Sequence, residues 1–123
     1  MQLEFQKFAA YRKALLYVAV ITEILVALPR RHGHLATQLD KCACSAPANI
    51  AEGAGEFKPK EKARFYRIAK RSMTESVAHL DVMQIKKIVS EEHYDRVLPL
   101  AVELICMLTS LCRRFDRDPK HRP

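Results

Sequence analysis

Residues 45–72 read SAPANIAEGAGEFKPKEKARFYRIAKRS. The first part, residues 45–55, is built almost entirely of small residues, with Asn49 and Glu52 as its large polar groups. A helix lined by small side chains lets a neighbouring helix come close, because the contact residues set the interaxial distance. The second part opens on Pro59, a residue favoured at the first helical position. It places seven Lys or Arg against one acid between Lys58 and Arg71. The pair reads as a close-packing helix followed by a strongly basic one.

Working outward, the same logic gives four helices. The first spans residues 4–28 and stops at Pro29, which cannot continue a helix without strain. Residues 30–34 connect, with Gly33 as the turn residue. The second helix covers residues 35–54 and ends at Gly53 and Gly55. Pro47 within it predicts a kink, or a restart with Ser45 as the cap. The third runs over residues 59–89. Ser90, followed by Glu91 and Glu92, marks the capped start of the fourth, because acids favour the positive end of a helix dipole. That helix reaches Phe115, with Pro99 disturbing its early turns. Residues 116–123 read as a loose tail. No segment alternates like a strand. Four helices with short connections predict an all-α, antiparallel up-down four-helix bundle, formed by residues 1–123 as one domain.

The chain has 123 residues, of which 49% are apolar, and this excludes a disordered chain. Its net charge of +7 is unevenly spread. Residues 58–71 contribute +6 (seven Lys or Arg, one acid) and residues 113–123 contribute +3 (five Lys or Arg, two acids). Concentrated positive charge attracts polyanions, chiefly nucleic acid, in a salt-dependent way. The N-terminus lacks the pattern of a secretory signal, and the apolar run at residues 14–28 contains Thr22 and Glu23 and is short for a bilayer. A cytoplasmic protein with no membrane association is the expectation.

Lys60, Arg64, Arg67 and Arg71 recur at helical spacing and share one face of the third helix. Without acidic partners such a face is self-repelling, which points to an outside anion. With Lys58, Lys70, Arg113 and Arg114 they form the expected nucleic-acid-binding set, and Arg117 adds a smaller share. Tyr66, interleaved among them, could stack on a base or pack half-buried. The alternative is a charged face that solvates a structural or protein-interaction assembly.

Asn49 and Glu52 lie on one face of the second helix. With Glu75 of the third they are expected to form a buried, hydrogen-bonded polar cluster that fixes helix register. No nucleophile, His pair or glycine-rich loop stands near them, so no catalytic residue is assigned and a non-enzymatic protein is expected. Cys42, Cys44, Cys106 and Cys112 have spacings unlike zinc sites and read as small core hydrophobes. The five histidines supply no ligand set. No metal or cofactor is expected.

The first and fourth helices read ALLYVAVITEILVAL and VLPLAVELICMLTSL. Both are apolar nearly all round, where a surface helix needs one stripe. One bundle cannot hide all of it, so a homo-oligomer is expected.

The segment KCACSAPANIAEGAGEFKPKEKARFYRIAKRSMTE, residues 41–75, resembles the signature of bacterial four-helix-bundle proteins known as large-subunit ribosomal RNA intervening-sequence proteins. The matching positions are Ser45, Pro47, Ala48, Asn49, Ile50, Ala51, Glu52 and Gly53, then Lys60, Glu61, Arg64, Phe65, Ile68, Ala69, Ser72 and Glu75. The resemblance implies a bundle assembled as a ring, commonly a pentamer. It also relates the chain to accessory proteins of diversity-generating retroelements, which partner a reverse transcriptase and nucleic acid. The chain departs from the family pattern at Glu56, where a basic residue is common, at Lys58, where Ser is common, and at Arg71, where Gly is common. The last two add positive charge.

Overall fold

The computed structural model describes residues 2–117. A short 3-10 turn at Glu4–Lys7 precedes α1, Ala9–Ala27. A second 3-10 turn, Arg30–His32, leads into α2, Gly33–Gly55. Helices α3, Pro59–Ile85, and α4, Glu91–Phe115, complete the set. The described residues contain no strand. Each helix packs on the next and α4 packs back on α1, so α1 and α3 lie diagonally opposite, as do α2 and α4. This is the antiparallel four-helix bundle that the sequence predicts.

Several boundaries differ from those expected. The first helix starts at Ala9, because residues 4–7 form a tighter 3-10 turn stapled by Leu3 N–H donating to Gln6 Oε1. Gly33 is no turn residue. It is helical in backbone conformation and opens α2. Helix α2 runs unbroken through Pro47, with no restart at Ser45. Helix α3 stops at Ile85, four residues before the expected end. The stop is a Schellman motif. Lys87 adopts a left-handed φ of 59°, its N–H donates to the Gln84 carbonyl, and the Ile88 N–H donates to Met83, both at 3.0 Å. A lysine at a position that favours glycine carries no sequence signal for this turn. The α4 start is as expected: Ser90 Oγ accepts from His93 N–H at 3.0 Å, with Glu91 and Glu92 in the first turn.

The core is a single cluster contributed by all four helices. Tyr17, Ile21 and Ile24 of α1 meet Leu39 and Ile50 of α2, Met73, Leu80 and Met83 of α3, and Leu104 and Leu108 of α4. Helix α2 adds Ala43, Ala46 and Gly53 to the buried set, and α2 with α3 forms the most extensive helix pair. Gly53 shows why. A Cβ there would stand 2.7 Å from Cε1 of Tyr66. The small residues of the opening motif therefore make room for the aromatic residue of the next helix. Both Val20 and Leu104 face this core.

Candidate nucleic-acid interface

The spacing of Lys60, Arg64, Arg67 and Arg71 places all four on the exposed side of α3, as expected. The face is less free of acids than the sequence implies. Arg64 Nε and Nη2 donate to Glu61 Oε2 at 3.1 and 3.0 Å, and its guanidinium lies 4.4 Å from the centre of the Phe65 ring. Arg67 Nη2 donates to Asp116 Oδ2 at 2.9 Å. These exposed pairs contribute at most about 1 kcal/mol each. They do mean that two of the four cations already have a partner. Asp116 lies 49 residues from Arg67 in the chain, so no spacing argument could find it. Lys58, Lys60, Lys70 and Arg71 form no ion pair among the described residues.

The Arg67–Asp116 bond has a second effect. Asp116 is the C-cap of α4, directly after Arg113 and Arg114 in its last turn. The bond fixes that helix end against the middle of the α3 basic face. Positive charge near a helix C-terminus is favourable, so both arginines stabilise α4 while extending the α3 patch. Residues 118–123 of the expected loose tail lie outside the described residues, and Asp116 at its start is tied down.

Lys62 belongs to the same stretch but lies off the basic face. Its Nζ donates to the carbonyls of Gly53 and Ala54 at 3.2 and 3.1 Å, capping the C-terminus of α2. One basic residue of the seven thus serves the fold. Tyr66 does not lie exposed among the cations. It is 2% exposed, packed between Phe8 and Phe115 with ring centroids at 6.1 and 5.9 Å. The close approach at Gly53 draws it inward.

The expected Asn49–Glu52–Glu75 cluster does not form within the chain. Glu52 and Glu75 are exposed, and the one ion-pair partner of Glu75 among the described residues is His79, at 3.8 Å. Asn49 instead donates from Nδ2 to the Ser45 carbonyl at 2.9 Å and to Ser45 Oγ at 3.0 Å. Ser72 Oγ donates to the same Ser45 Oγ at 2.9 Å. The register bond between α2 and α3 is therefore carried by hydroxyls. The small side chains of α2 draw α3 too close for two carboxylates to be buried between them. The cysteine reading also divides. Cys42 is buried, and loss of solvation pushes its thiol up to about 11. Cys112 is half-buried, and Cys44 and Cys106 are exposed. Among the described residues no three His, Cys, Asp or Glu are placed to hold a metal ion. No helix among them is long and apolar enough to cross a membrane.

The match that decides the family covers these same elements. Residues 6–110 fit the family model described as 23S rRNA-intervening sequence protein. The chain belongs to that family. The matched span takes in α1, α2 and α3 whole and most of α4, and it stops short of Arg113 and Arg114. The basic end of α4 lies outside the matched residues. No curated protein matches the chain.

Proposed function

We propose that this member of the 23S rRNA-intervening sequence protein family is a non-enzymatic, self-assembling protein that binds nucleic acid through its phosphates. The observation that carries the reading is the joining of two basic groups into one patch. Lys58, Lys60 and Arg71 from α3 and Arg113 and Arg114 from α4 are all exposed, and none has an ion-pair partner among the described residues. The Arg67–Asp116 bond holds the two helices in register. Unpaired cations held on rigid helices neutralise phosphates and release counterions, which favours binding with little regard to sequence.

Self-assembly has separate support. Leu16 is 55% exposed and Val102 52% exposed, on adjacent helices. The ion pairs Lys13–Glu103 and Glu23–Arg96 tie these two helices together. Exposed apolar side chains on rigid helices suit burial against a second copy of the chain. In an assembly the basic patch repeats, and weak phosphate contacts add through effective concentration.

A titration of labelled structured RNA and duplex DNA at two salt concentrations tests the reading. Binding should fall steeply with salt. Lys60→Glu with Arg71→Glu should weaken it about tenfold or more and flatten the salt slope. These residues are chosen because Arg64 and Arg67 are held by intrachain partners. Failure to bind either probe at low salt would leave the structural-assembly reading in its place.

A further inference from the structure

Where the basic patch meets the end of the bundle, the N-terminal 3-10 turn, Phe8 and residues of α2, α3 and α4 line an open pocket of about 210 Å³. Phe5, Phe8, Tyr66 and Phe115 line it, with Lys62 and Arg114 beside them. The two cations lie 5.7 and 5.1 Å from the centre of the Phe115 ring. Tyr66 lines this pocket with 2% of its surface exposed, and no described residue hydrogen-bonds its hydroxyl. The phenol O–H can therefore donate to an acceptor in the pocket.

Arg114 connects this cavity to what surrounds it. It also lines a cleft of about 420 Å³ with Ser110, Arg113 and Arg117. An aromatic chamber therefore opens beside an arginine-lined cleft, with one guanidinium common to both. The chamber offers π-faces, a cation and a phenol donor. The cleft offers three guanidiniums and a hydroxyl. A planar ring carrying hydrogen-bond acceptors and attached to phosphate satisfies both halves at once. The size fits, since a cavity of about 150 Å³ takes up benzene, and the chamber therefore admits a pyrimidine-sized ring.

We propose that this end of the bundle takes one unstacked pyrimidine base of single-stranded RNA into the aromatic chamber, with its flanking phosphates on Arg113, Arg114 and Arg117. The proposal rests on the nucleic-acid reading above and adds strand selectivity to it. Phosphates alone do not distinguish a single strand from a duplex in this way. A duplex keeps its base faces in the stack and presents none to the partly exposed Phe5 and Phe115 rings.

Fluorescence anisotropy with a labelled twelve-nucleotide oligouridylate and a blunt RNA duplex of the same length tests this on the full chain. The wild-type protein should favour the single strand. Ala54→Leu narrows the chamber from the end of α2 without removing a charge. It should weaken oligouridylate binding about tenfold, the order expected for one lost base–aromatic stack, and leave the duplex nearly unchanged. Tyr66→Phe keeps the ring and should weaken the single strand by a smaller factor, so the test survives if the leucine variant fails to fold. Equal affinity of wild type for both probes, or unchanged oligouridylate binding in both variants, would overturn the proposal. Uridine monophosphate binding as tightly as the oligonucleotide would reassign the chamber to free nucleotides and overturn it too. Those results would spare the phosphate reading, provided Lys60→Glu with Arg71→Glu still weakened duplex binding. Absence of binding to both probes at low salt would remove both.

Discussion

The hydroxyl of Tyr17 on α1 lies 2.7 Å from Ser76 Oγ on α3, buried and across the diagonal of the bundle. Ser76 Oγ also donates to the Met73 carbonyl at 2.7 Å. A serine has one proton to give, so Tyr17 must be the donor to Ser76. The bond joins the two helices that lie diagonally opposite in the bundle. It fixes their rotation at the level where all four helices meet.

The direction of donation makes the two truncations unequal. Tyr17→Phe removes a donor, while Ser76 keeps its bond to Met73. It should cost about 1 kcal/mol. Ser76→Ala leaves the Tyr17 hydroxyl buried with no acceptor and should cost about 1–3 kcal/mol. Urea unfolding of both variants checks the order. A larger loss for Tyr17→Phe would overturn this direction of donation.

Alkaline pH should reveal the same residue. Burial raises the Tyr17 pKa from an ordinary 10 to about 12 in the folded protein. The folded state therefore holds its proton more tightly than the unfolded state. The stability that this supplies is complete below pH 10 and is lost as pH rises towards 12, about 2–3 kcal/mol in all. Cys42, pushed up to about 11, adds a loss of the same sign that starts nearer pH 9. Melting temperature followed from pH 8 to pH 12 should fall across this window, and Tyr17→Phe should flatten the upper part of the fall.

Two glycines close together in sequence should respond oppositely to alanine. At Gly53 the new methyl group would meet the Tyr66 ring at 2.7 Å, while at Gly55 nothing lies within 4 Å. Gly53→Ala should destabilise by about 1–3 kcal/mol through overpacking. Gly55→Ala should stabilise by about 0.4–1 kcal/mol, since its φ is not positive and the unfolded chain loses freedom. Paired thermal melts decide it.

The exposed apolar residues of α1 and α4 give the assembly test. Leu16→Glu with Val102→Glu should lower the mass measured by light scattering while helical content holds. Leu104→Glu should unfold the chain, because Leu104 is fully buried and an unpaired charge there costs several kcal/mol. A wild-type monomer at micromolar concentration, or an unchanged mass in the double variant, would refute assembly through these residues.

The sequence by itself determined the fold class. Proline and glycine placement, the Ser90 cap and the apolar runs are local signals, and each acts within a few residues. It also determined which side of α3 is basic, because helical spacing alone puts residues 60, 64, 67 and 71 on one face. Only the tertiary structure decided what those residues meet. Asp116 reaches Arg67, Lys62 turns to the end of α2, and Ser45 bonds Ser72 where a carboxylate cluster was expected. Tyr66 faces inward because Gly53 of another helix leaves room for its ring. Pairing, burial and the aromatic chamber depend on contacts between segments distant in the chain. Periodicity within one helix carries no information about such contacts.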